Sequence, residues 1–181
     1  MNKVIASWLA KTTSKNKYLS STDPLANYDL TKILRNFERD DLYATDGFRA
    51  HCFYKVPNLT GYYFNRAGRK ISSIDGAKYP RFSEIFSVKQ NPKPLNVRLE
   101  DLPILETRDF KLYEVISGYR VNKSYLDDAC SLSNNYEIWL SDNPYGYALH
   151  ILYRDPFLGV EGTSLGSLGI VTAHAKVMPL G

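Results

Sequence analysis

The stretch "DLYATDGFRAHCFYKV", residues 41–56, constrains the fold of this chain more than any other. Two runs rich in apolar and aromatic residues flank Asp46-Gly47, a pair that favours a tight turn because glycine takes positive φ without steric cost. The pattern predicts a β-hairpin, with "KILRNFER" just upstream as a further strand. Thr45, Phe48 and Arg49 crowd the turn with a hydroxyl, a ring and a guanidinium, which an ordinary turn does not need. The chain has 14 tyrosines and 13% aromatic residues, a bias that suits pleated, half-buried surfaces. At 181 residues it is long enough to bury a real core as one domain, residues 1–181.

Strand patterns recur along the chain. "GYYF" and "KISSI" form a pair turned by Asn65-Arg66-Ala67-Gly68, and "KYPRFSEIF" reads as a turn before a short helical piece. "NVRLEDLPIL" and "FKLYEVISGYRV" resume the strand pattern. "YEIWLSD", "YALHILY" and the terminal "GIVTAHAKVMPL" complete it. Two segments read as helices. Over residues 2–16, Ile5, Trp8, Leu9 and Thr12 fall on one face and lysines on the other. Over residues 122–132, Leu126, Ala129 and Cys130 form the apolar face, Asn122 or Ser124 the cap, and Asp127 and Asp128 point outward. A helix followed by several antiparallel strands thus occurs twice, the mark of an α+β layer arrangement.

Charge is distributed unevenly. Lys3, Lys11, Lys15 and Lys17 precede the first acid, Asp23, and the rest of the chain carries 19 basic and 19 acidic residues. The excess of +4 therefore reads as one basic surface element. Two cysteines are too few for a disulfide framework, and no signal peptide or apolar span is evident. A reducing cytoplasm with free thiols is expected, and no membrane partner. His51, His150 and His174 lie in strand patterns without metal-ligand spacing, so no metal or cofactor is expected. "GVEGTSLGSLG" lacks the ending of a phosphate loop. No enzyme signature stands out. A Cys–His nucleophilic pair built on Cys52 or Cys130 stays open as an alternative, as does a single-strand binder that uses tyrosines for stacking.

Several local words, in order, resemble the DNA sliding clamp family of bacterial polymerase III beta subunits. A helix is followed by "YATDGFRA" (43–50), where the family reads "ATDGHRLA". Tyr79-Pro80-Arg81-Phe82 follows, then "YLDDA" in a second helix, and the chain closes on "VMPLG". The resemblance implies a clamp-like domain of duplicated β-α-β-β-β units, two helices packed on antiparallel sheets. It implies nonspecific contact of Lys3, Lys11, Lys15 and Lys17 with duplex DNA phosphates. It also implies a hydrophobic pocket for motif peptides of polymerases or clamp loaders. Thr45, Gly47, Phe48, Arg49 and Ala50 would form one wall of that pocket, with Pro80 and Ile85 adding to it and Val177, Met178, Pro179 and Leu180 opposite. The chain departs from the family in three respects. It supplies one domain where the family closes rings of several, so a homo-oligomer is expected. Residues 57–95 read as an insertion, and Phe48 stands where the family has histidine. The same fold without a ring, serving as a protein-interaction module, is the alternative within the resemblance. "TDGFRA" and "VMPL" would then meet within one chain or only across a subunit boundary.

Overall fold

The computed structural model describes residues 1–15, 28–72, 78–86, 92–143, 146–157 and 159–180. It is an α+β protein built on a nine-stranded antiparallel sheet. In chain order the elements are α1 (Lys3–Ala10), β1 (Ile33–Arg35), β2 (Leu42–Thr45), β3 (Arg49–Phe53), β4 (Tyr63–Phe64) and β5 (Lys70–Ile71). They continue with α2 (Phe82–Ile85), β6 (Lys93–Pro94), β7 (Ile104–Glu106), β8 (Lys111–Ile116), β9 (Tyr119–Asn122) and α3 (Lys123–Ala129). The last are β10 (Tyr136–Asn143), β11 (Gly146–Tyr153), β12 (Thr163–Ser164), β13 (Ile170–Val171) and β14 (Ala173–Val177).

The large sheet runs β5-β4-β1-β2-β3-β14-β11-β10-β6. Its central six strands read the same from either side: a helix followed by a three-strand meander occurs twice, and the two meanders join through their last strands, β3 and β14. β7, β8 and β9 form a separate three-stranded sheet, and β9 leads directly into α3. Residues 57–95 extend both edges, β4 and β5 beside β1, and β6 beside β10.

Alternation assigns each side chain to a face. Ala44, Phe53, Leu149, Ile151, Ala173, Ala175 and Val177 pack under α1 and α3 in the main core, against Trp8, Leu9, Leu126 and Ala129. The intervening residues, Tyr43, Ala50, Cys52 and Leu152, face the other way, where Phe82 and Phe86 of the α2 region cover them. Both faces of the sheet are therefore buried, which explains why several strands lack a clean polar face.

The first helix is shorter than its periodicity predicts, ending near residue 10 instead of 16. Ile5, Trp8, Leu9 and Thr12 are all buried as expected. The Thr12 hydroxyl donates to the carbonyls of Leu9 and Ala44, both at 3.0 Å, and Thr13 donates to Ala10 at 2.8 Å. Hydroxyls that bond back to the preceding turn compete with helix propagation, and here they stop it. At α3 the cap is Asn122, whose side chain accepts from Ser124 N–H at 2.9 Å. No helix among the described residues is long and apolar enough to cross a membrane.

Candidate functional site

The turn that opens the hairpin is built by short side chains. Asp46 Oδ1 accepts from the N–H groups of Phe48 (3.0 Å) and Arg49 (3.1 Å), while the Thr45 hydroxyl donates to Arg49 O at 2.8 Å. Gly47 sits at φ +92°, where a side chain would be strained. These bonds turn Phe48 outward, and it is 58% exposed. The chain end docks directly on this tip, because Met178 N–H donates to Phe48 O at 3.1 Å and continues the β3–β14 ladder. "TDGFRA" and "VMPL" thus meet within a single chain.

Between them lies a cavity of about 320 Å³. Thr45, Gly47, Phe48, Arg49, Ala50, Pro80, Ile85 and Met178 line it, together with Tyr28, Leu30, Glu84 and Lys176. Eight of the eleven residues anticipated for a pocket are therefore brought together. Val177 is not one of them: it is fully buried in the core under the helices, because adjacent strand residues point to opposite faces and Met178 takes the cavity side. Pro179 and Leu180 also lie beyond the wall, and Leu180 N–H donates to Arg120 O at 3.0 Å instead. The same alternation would have found Lys176, two residues before Met178. Its ammonium donates to Ile85 O at 3.0 Å, and burial pulls its pKa below the ordinary lysine value.

Arg49 shapes the wall without offering its charge. Its guanidinium donates to Asp46 Oδ2 (3.1 Å), Asp128 Oδ2 (2.7 Å) and Lys11 O (2.6 Å), and lies 4.3 Å from the Tyr125 ring centre. Asp128 therefore does not simply face solvent, as its place on the outer side of a helix predicts. It holds the hairpin tip against both helices. Asp127 is similarly engaged, accepting from Tyr113 Oη and Lys123 Nζ, both at 2.6 Å.

The anticipated basic element is partly neutralised. Lys3 and Lys15 are exposed. Lys11 donates to Ser131 Oγ at 2.7 Å, and its ammonium is 3.6 Å from Asp128. Lys17 lies outside the described residues. Shortening of α1 places Lys15 beyond the helix, so the lysines do not form one continuous helical stripe.

On the cavity side of the sheet a buried polar row crosses four strands. Tyr54 Oη is 2.8 Å from His174 Nδ1, His174 Nε2 is 2.7 Å from His150 Nδ1, and His150 Nε2 is 2.5 Å from Ser141 Oγ. A neutral imidazole has one donor and one acceptor, so the row is satisfied only if every bond runs in one direction. Burial holds His150 down at about 3 and His174 well below the usual value. On the opposite face His51 bonds Trp8 O at 2.9 Å through Nδ1 and stacks on the Trp8 ring. Burial lowers it to about 3 as well.

Both thiols are free and buried, and burial pushes each pKa up. Neither has the exposure or lowered pKa of a nucleophile. Among the described residues no three His, Cys, Asp or Glu side chains gather as a metal site would require. No family model, curated protein or solved structure matches the chain.

Proposed function

We propose that the protein is a non-enzymatic, clamp-like DNA replication or repair accessory protein. It associates with duplex DNA without reading sequence and takes partner peptides in the cavity beside Phe48. The observation that carries this reading is the convergence of the "TDGFRA" turn, Pro80, Ile85 and Met178 on one cavity of about 320 Å³. A site of that size, walled by Phe, Met, Ile and Pro with Lys176 and Glu84 as polar groups, suits one or two apolar anchors of a linear motif. Each anchor buried contributes roughly 1.5–3 kcal/mol. The twice-repeated helix and meander also supports a duplicated clamp-like unit. Lys3 and Lys15 supply phosphate contacts that position without specifying.

A second reading is favoured by one observation: the cavity is complete within one chain, so peptide capture needs no ring. In that case the protein is an interaction module of the same fold.

Three measurements test the proposal together: light scattering for assembly, retention on circular against linear duplex, and pull-down with a polymerase-type motif peptide. Lys3→Glu with Lys15→Glu should abolish duplex retention and spare the peptide. Phe48→Ala with Met178→Ala should do the reverse. Peptide binding by a monomer that ignores duplex selects the interaction module, and a monomer that binds neither overturns both readings.

A further inference from the structure

A second, larger recess of about 640 Å³ lies on the far side of Pro80 from the cavity, between the β1–β2 loop, the start of β4 and the segment entering α2. Its character differs. Phe37 and Tyr62 stack on one another with ring centres 4.3 Å apart, yet they are 66% and 44% exposed. Two large rings held face to face at a surface form a platform, not a core contact.

Guanidinium groups border these rings. Arg35 lies 5.3 Å from the Tyr62 ring centre and is held there by Asp40 and by the carbonyls of Leu59 and Gly61, so it fixes the platform. Arg39 lies 5.6 Å from the Phe82 ring centre and is paired with the buried Asp41 at 3.3 Å, and Glu38 stands beside it in the lining. Arg81 is exposed and makes no ion pair among the described residues. Of the basic residues in segment 61–82, Arg81 is the one that lines the recess.

We infer that this recess binds single-stranded nucleic acid, with bases stacked on Phe37 and Tyr62 and phosphates drawn to Arg81. Stacking on aromatic faces beside a cationic track is the chemistry by which single strands are held without sequence preference. A duplex does not satisfy it, because its base faces are already stacked inward. A proline-rich peptide would use the rings but leave Arg81, which has no ion pair among the described residues, without counter-charge. The inference is independent of the reading given to the Phe48 cavity.

The test is fluorescence anisotropy with labelled oligo-dT and a duplex of equal length, at about 50 mM salt and upward. Oligo-dT should bind. Phe37→Ala and Tyr62→Ala should each weaken it about tenfold or more, with melting temperatures close to the parent because both rings are exposed. Arg81→Ala, a surface change that leaves the rings in place, should lower the salt slope by about 0.7. Ile170→Ala, at an exposed residue that lines neither recess nor cavity, should leave oligo-dT binding unchanged. The inference falls if oligo-dT does not bind, if binding survives both ring substitutions and is lost in Lys3→Glu with Lys15→Glu, or if a proline-rich peptide occupies the recess in its place.

Discussion

The two halves of the molecule share a scaffold and use charge in opposite ways. In the first, α1 and the β1–β3 meander present Lys3 and Lys15 to solvent. In the second, α3 and the β10, β11 and β14 meander carry Asp127 and Asp128, and both carboxylates are engaged inside the protein. Symmetry of the backbone therefore does not extend to the surface. The acidic helix serves as an internal fastener that grips the tip of the other half, while the basic one keeps Lys3 exposed.

The comparison breaks most severely at low pH. His51 belongs to the first half, and His150 and His174 to the second. All three are buried and kept neutral, so the unfolded chain takes up protons below about pH 6.5 and the folded chain does not. Stability is thus greatest above that pH and is lost as pH falls, by about 1.4 kcal/mol per pH unit for each histidine. The halves also hold one tryptophan each, Trp8 and Trp139. Urea unfolding of Trp8→Phe and Trp139→Phe, followed by the fluorescence of the remaining ring, should give coincident midpoints that fall steeply between pH 6.5 and 4.5. Separate midpoints would mean that the β3–β14 seam does not couple the halves, and a flat profile would mean that the histidines are not held neutral.

A smaller effect is expected from equivalent cuts in the two helices. Trp8→Ala removes a buried ring that stacks on His51 and donates to Asp128 O at 3.0 Å, and it should cost about 3–5 kcal/mol. Leu126→Ala, on the buried face of α3, should cost about 2–5 kcal/mol. Denaturant titration checks both, and a loss below about 1 kcal/mol at either site would show that its helix is not a structural partner of the sheet.

The finest test is Asp128→Asn. It weakens the bonds to Arg49 and Lys11 and should cost about 1–2 kcal/mol. It also releases the Lys11 charge, so the duplex contact proposed above should strengthen and become more salt-sensitive. Unchanged stability in denaturant titration would remove the fastener role from α3.

Much of this architecture is legible in the sequence because it rests on local alternation. The 41–56 hairpin, the β10–β11 pair and both helices follow from apolar spacing alone. The end of α1 does not, since it depends on Thr12 reaching Ala44, thirty-two residues away. The cavity walls are readable as words, but Val177 is misassigned when the "VMPL" word is carried over whole instead of split by the two-residue period. The aromatic recess is invisible to any short window: Phe37, Tyr62 and Phe82 come from three separate segments, and only the folded sheet makes them neighbours.

The central position of β14 has a consequence for how the molecule comes into being. Residues 173–177 are bonded to β3 on one side and β11 on the other, so the keystone between the halves is made later than both of its partners. Until it arrives, a nascent chain holds the β1–β3 meander and the β10–β11 hairpin with unpaired inner edges, the kind of surface that seeks strands from other molecules. The Met178 wall of the cavity is also missing at that stage. Peptide capture, as proposed for that cavity, would thereby await the docking of β14.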